Sequence, residues 1–324
     1  MMLRASIAMT LTMGGIAFVP SVFWLLLLRL LNGVFSGFVP NSTALIASQV
    51  PKNQSGYALG TLSTGTVAGT LMGPLLGGLI AEQFGMRNVF LLVGFFLFLV
   101  SVLTWWGIEE DYQQISKEEH LSSWALLASI QHKDILLGLF LTSMTIQMIG
   151  QSISPILPLY VRELGQSDNV IFVSGLIVSA MGISSILTSG WMGKLGDKIG
   201  NHRLLLLALL YSGILYIFCA LAHTPFQLGL LRFLFGIGTG ALMPGVTALL
   251  NRMTPKEGIS RIFSYNQLFF YIGGVLGPMM GSSIAMHVNY HWVFYGTAIL
   301  AFIDLAFLLF IFRKYLKVRE ISAH

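Results

Sequence analysis

The chain has 324 residues, of which 55% are hydrophobic and only 10% are charged. Soluble domains carry about 25% charged residues, so this composition argues against a cytosolic enzyme, a secreted domain or a nucleic-acid binder. The net charge of +5 is read as topology, since basic residues gather in cytoplasmic loops, and the single cysteine, Cys219, excludes an internal disulfide and offers no metal cluster.

A membrane-crossing helix needs about 20 mostly apolar residues to traverse a ~30 Å hydrocarbon core. Ten segments are expected to do so: 3–20, 22–49, 57–81, 88–107, 134–161, 169–192, 204–222, 226–251, 263–287 and 291–312. The first follows Arg4 and mimics a signal peptide, but it lacks a small-residue cleavage site and a second span follows at once. Spans 22–49 and 226–251 are long, and Pro40 and Pro244 in their second halves predict tilt or a kink. Span 134–161 is polar and discontinuous, with Gln147, Gln151, Ser152, Ser154, Pro155 and Pro158. The acidic stretch 108–133 reads as a linker between an N-terminal group of four spans (1–107) and a C-terminal group of six (134–312), and Trp124–Ile130 reads as a surface-lying helix. A basic tail, 313–324, ends the chain.

Lysine and arginine set the orientation. With loops assigned alternately to the two sides, fourteen of the 18 basic residues fall on one side and two, Arg87 and Arg162, on the other. Arg29 and Arg232 lie inside spans. Both termini of this multi-pass protein are therefore expected in the cytoplasm.

The chain also repeats itself at an offset of 204. Residues 40–52 read PNSTALIASQVPK and residues 244–256 read PGVTALLNRMTPK, identical at six of 13 positions. Gly69, Gly73, Pro74 and Gly77 match Gly273, Gly277, Pro278 and Gly281. At an offset of 203, Arg29, Gly33 and Gly37 match Arg232, Gly236 and Gly240. Spans 1–4 thus pair with spans 7–10, leaving spans 5 and 6 without a first-half counterpart. The expectation is an architecture of two six-helix halves lacking about 70 residues at the N-terminus, with parallel repeats about an axis along the membrane normal.

Three motifs carry chemistry. In Arg29–Gly37 an arginine sits inside a span, where it needs a partner or a water-filled cavity, and glycines at i+4 and i+8 give a smooth packing face. Arg232, Gly236 and Gly240 form its second copy, expected to serve helix packing. In Gly65–Gly78, glycines 65, 69, 73 and 77 form one stripe, Pro74 removes a backbone donor, and Gly77-Gly78 closes the motif. In 193–203, Gly193, Asp197, Lys198, Gly200 and Arg203 form a short loop of mixed charge that can cap a helix end or latch two elements.

These motifs resemble those of the major facilitator superfamily, in its drug:proton antiporter branch, over all ten spans. The resemblance implies an all-α polytopic membrane protein whose spans correspond to helices 3–12 of a twelve-helix transporter. It implies that Arg29 couples protons, that Gly65, Gly69, Gly73, Pro74, Gly77 and Gly78 are the antiporter motif that marks exporters, and that 193–203 is a cytoplasmic gating loop. Span 5 is similar to the substrate-facing seventh helix, which makes Gln147 and Gln151 candidates for the substrate cavity; Asn266 and Phe270, in span 263–287, are candidates to line a pliable pocket of the kind that suits promiscuous binding. Asp304, the one acid well inside a span, is a candidate proton site or arginine partner.

The function implied is proton-coupled export of lipophilic compounds by a monomer that acts as a carrier, not an enzyme, with no cofactor, metal or nucleic-acid partner. Two alternatives are a metabolite or sugar carrier on the same fold, against which Gly73-Pro74 argues, and a truncated product without transport activity. Gly236-x-Gly238-x-x-Ala241 fits a dinucleotide fingerprint only on paper, because it lies within a span and follows no strand. His287 and His291 flank an outer loop without a third ligand.

Overall fold

The computed structural model describes residues 2–36, 38, 42, 55–107, 133–254 and 259–321. Among them every regular element is a helix. The chain divides into two compact units, Met1–Ser116 and Lys117–His324.

The first unit holds α1 (Met2–Ile16), α2 (Val22–Phe35), α3 (Ser55–Phe84) and α4 (Met86–Gly107). Helices α1 and α4 approach closely, such that a Cβ on Gly94 would stand 2.8 Å from the Gly14 Cα. Only a glycine lets two helix backbones meet so closely. Thr10 and Ser101 hydroxyls bridge the same pair at 3.3 Å, and Thr12 donates to Asn32 Oδ1 at 3.0 Å to tie α1 to α2. Helix α2 has no buried residue.

The second unit holds α5 (Lys133–Gln151), α6 (Leu157–Glu163), α7 (Val170–Ile199), α8 (Asn201–Ala220), α9 (Pro225–Met253), α10 (Ile259–His287) and α11 (Tyr290–Ile321). Helix α5 packs on α9, α10 and α11, α7 packs on α9, and α8 packs on both α9 and α11. Two apolar clusters fill the unit. One gathers Leu139, Leu205, Leu242, Val246, Ile262 and Leu308; the other gathers Ile153, Tyr160, Leu228, Phe235, Val293 and Phe294. Outward faces are also apolar, as at Leu187, Trp191, Phe226 and Phe310. In water such surfaces would be a liability, whereas hydrocarbon is their proper solvent.

Seven of these helices, α4, α5 and α7–α11, are long and apolar enough to cross a membrane. Helix α1 has 15 residues, about 22 Å at 1.5 Å per residue, short of a ~30 Å core. It stops near Gly14-Gly15 and turns before Pro20, where span 3–20 was expected to continue. Helix α2 ends at Phe35, and the rest of span 22–49, including Gly37 and Pro40, lies outside the described residues, as does the expected 124–130 helix. Span 134–161 is two helices, α5 and α6, separated by turns over 152–156. Helices α3, α9 and α10 continue through Pro74, Pro244 and Pro278.

Candidate functional site

Helix α5 is the polar axis of the second unit. Its successive residues Thr142 and Ser143 point to different neighbours. Thr142 donates to Asp304 Oδ1 on α11 at 3.1 Å, and Ser143 donates to Asn266 Oδ1 on α10 at 2.7 Å. Asp304 is 4% exposed and Asn266 3%. About two turns further on, the Ile149 carbonyl accepts from Tyr216 of α8 at 2.5 Å, and Tyr216 in turn accepts from Arg232 Nη1 of α9 at 3.1 Å. The Ser152 hydroxyl pairs with Thr297 of α11 at 3.0 Å. Buried polar groups in a lipid-facing bundle need such partners.

Two atoms of this network are left over. Asp304 Oδ2 and Arg232 Nε are buried and find no hydrogen-bond partner among the described residues. A carboxyl with one oxygen held and one free can take up a proton. Arg232, 2% exposed, has its guanidinium carbon 5.5 Å from the Phe235 ring centre, a cation–π placement.

The residues expected to line a cavity are spread over this axis. Gln147 and Gln151 are half-buried on α5, and Gln151 Oε1 accepts from Ser154 at 3.0 Å. Phe270 is half-buried on α10, beside Tyr271. Asn266 sits behind Ser143 rather than on an open wall.

The glycine motifs fall into closed and open copies. On α10, a Cβ on Gly273 or Gly281 would overlap the carbonyl of Met144 or Ser152, and one on Gly277 would stand 2.8 Å from the Met148 oxygen. That stripe lies against α5. On α9, a Cβ on Gly236 would overlap the Met181 carbonyl, and one on Gly240 would stand 2.8 Å from the Ser185 oxygen, both on α7. In the first unit, Cβ atoms on Gly65, Gly69, Gly73, Gly77 and Gly33 would meet nothing within 4 Å among the described residues. Pro74 is half-buried and Gly78 buried on the same helix α3. Arg29 is exposed on α2, its guanidinium carbon 5.6 Å from the Phe90 ring centre.

The 193–203 segment is the end of α7, a one-residue link and the start of α8. Gly200 makes that link at φ 95°, ψ 127°, with its N–H on the Gly196 carbonyl at 2.9 Å. Asp197 meets Arg252 at 3.5 Å, both exposed. Lys198 and Arg203 are exposed and Gly193 is half-buried. Among the described residues no three histidines, cysteines or acids are placed to hold a metal. His287 bonds the Ser283 carbonyl and His291 the Ala220 carbonyl.

Sequence reasoning missed Thr142, Ser143, Tyr216 and Thr297. A signal was there: two adjacent hydroxyl residues within an apolar span, upstream of two glutamines on the same helix, mark more than one polar face.

The model of the Major Facilitator Superfamily matches residues 1–174 and 135–323 of this chain. The "Multi-drug resistance efflux pump PmrA" of Streptococcus pneumoniae serotype 4 is 63% identical over 321 residues, covering 99% of this chain and 80% of that protein. The "Multi-drug resistance efflux pump PmrA homolog" of Lactococcus lactis subsp. lactis is 53% identical over 99% of this chain and 80% of its own length. The "Multidrug resistance protein MdtG" of Salmonella arizonae is 45% identical over 92% of this chain and 74% of its own length. A solved structure of a bacterial homolog to the human lysosomal transporter Spinster, inward-facing and occupied, superposes with a TM-score of 0.79 at 17% identity, covering 98% of this chain and 82% of that one; at that identity the likeness speaks for the fold alone. With the family match spanning both units and the first-named relative alike along nearly the whole chain, this multi-pass membrane protein belongs to the Major Facilitator Superfamily of transporters.

Proposed function

We propose that the protein exports drugs and other lipophilic compounds across the cytoplasmic membrane, driven by inward proton flow. The observation that carries this reading is 63% identity, over 99% of the chain, with a protein named a multidrug resistance efflux pump. Transport proceeds by alternating exposure of a substrate site to the two membrane faces. Gln147, Gln151 and Phe270 line that site, where half-buried amides and an aromatic ring offer a pliable mix of polar and apolar contacts, and Asn266 belongs to it as the buried partner of Ser143 behind the wall.

Asp304 and Arg29 are assigned to proton coupling. Asp304 supplies a titratable group whose Oδ2 is free to take the proton. Arg29 supplies a fixed charge within an apolar helix. The stripe from Gly65 to Gly78 gives the smooth helix face of the antiporter motif, and 193–203 acts as the gating loop. The protein works as a monomer with both termini cytoplasmic. Its ten membrane crossings follow the internal repeat, with α5 and α6 forming one broken crossing and α1 and α2 each belonging to one. The domains are 1–107, a linker at 108–133, 134–312 and a basic tail.

The reading is tested by reconstituting the chain in proteoliposomes and following ethidium movement under an imposed pH gradient. Gradient-dependent transport supports it. Ethidium movement that ignores the gradient removes the proton.

A further inference from the structure

The break between α5 and α6 has a built brace. After the Ser152 N–H bonds the Met148 carbonyl, the backbone changes to tighter turns: Ser154 N–H bonds Gln151 and Ile156 N–H bonds Ile153, each three residues back. A helix end inside a bundle leaves carbonyls that need donors. The Ile149 carbonyl receives two hydroxyls, from Tyr216 at 2.5 Å and from Ser152 at 3.2 Å. Tyr216 is itself fixed from behind, since its oxygen accepts from Arg232 and its ring stands edge-on to Phe235 at 4.8 Å. Tyr216 is 1% exposed. The arginine's charge therefore acts, through one phenol, on the negative end of the α5 dipole.

We infer that Tyr216 is a positioning residue: held by Arg232, it fixes the carbonyl at which the α5–α6 span breaks, and with it the placement of Gln147 and Gln151. Arg232 is then more than the packing counterpart of Arg29. The link to Gln147 and Gln151 rests on the efflux reading; the link to the break does not.

The test uses the full chain in lipid and three variants: Tyr216→Phe, Arg232→Met and the double variant. The first readout is hydrogen–deuterium exchange of the 150–157 segment, with 204–215 as internal reference. Tyr216→Phe is expected to speed exchange at 153–157 about tenfold, the scale of one lost buried hydrogen bond. The second readout is ethidium efflux, in which Tyr216→Phe is expected to raise KM severalfold with little change in maximal rate. Either single variant leaves a buried group without its partner and lowers the amount of folded protein. The double variant removes both and restores that amount. It is expected to keep the fast exchange at 153–157 and the raised KM. Unchanged exchange in Tyr216→Phe overturns the inference, and so does a double variant in which slow exchange and normal KM both return. Should wild-type protein move no ethidium, the efflux reading fails while the exchange measurement still decides the role of Tyr216.

Discussion

Thr142 and Asp304 stand 162 positions apart in the chain, yet the threonine hydroxyl donates to the aspartate Oδ1 at 3.1 Å, inside the second unit. The aspartate Oδ2 is left without a partner among the described residues. This pair joins the first helix of the unit to the last.

Asp304→Asn keeps the shape and still accepts from Thr142, but it cannot titrate. Proton-driven ethidium efflux is expected to fall at least tenfold while the amount of protein in the membrane stays within about twofold. Thr142→Val acts differently. It leaves the buried carboxyl with neither oxygen satisfied, which costs about 1–3 kcal/mol, and is read as a lowered unfolding temperature in detergent.

Arg29→Ala is expected to abolish gradient-driven efflux and leave membrane insertion intact. The side chain is exposed on α2 and its visible neighbour is the Phe90 ring, so its removal opens no core cavity. Normal efflux in this variant, measured beside a membrane-fraction immunoblot, removes Arg29 from the coupling role.

The two copies of the glycine stripe are expected to respond oppositely to one added methyl. In Gly273→Ala the new Cβ overlaps the Met144 carbonyl, a backbone atom that cannot swing away. Overpacking of that kind costs about 1–3 kcal/mol. In Gly69→Ala the Cβ meets nothing within 4 Å among the described residues, and the change in stability is expected to stay within about 0.5 kcal/mol. Thermal unfolding of the two variants side by side measures the contrast.

The link at Gly200 has little tolerance. Its φ of 95° is a conformation that L side chains rarely adopt, and a Cβ there would also stand 3.0 Å from His202. Gly200→Ala is expected to lower stability by about 1–3 kcal/mol. By contrast, Asp197→Asn breaks only an exposed pair with Arg252 and is expected to leave the unfolding temperature unchanged.

Much of this architecture is legible in the sequence. Apolar runs of about 20 residues have one solution in lipid apart from barrels, the helix. The divided span at 152–156 shows in Pro155, Pro158 and the neighbouring polar residues, because each proline withholds a donor. The glycine stripes show as spacing of four. Spacing cannot say what faces a stripe: Gly273 and Gly69 occupy equivalent places in the repeat, yet Gly273 lies against α5 while Gly69 meets no described residue within 4 Å. Nor does it say which hydroxyl meets which acid. The Thr142–Asp304 and Tyr216–Ile149 bonds depend on how α5, α8 and α11 pack, which no local pattern encodes. Helix α1 falls short of its expected span because apolar composition continues through 17–19 while the helix ends at Ile16.

The most direct test of proton-driven export is ethidium accumulation in energised cells that produce the chain, followed before and after a protonophore collapses the gradient. The account predicts accumulation below that of control cells, rising to the control level on collapse. Accumulation equal to control throughout, or low accumulation that the protonophore leaves untouched, would contradict it.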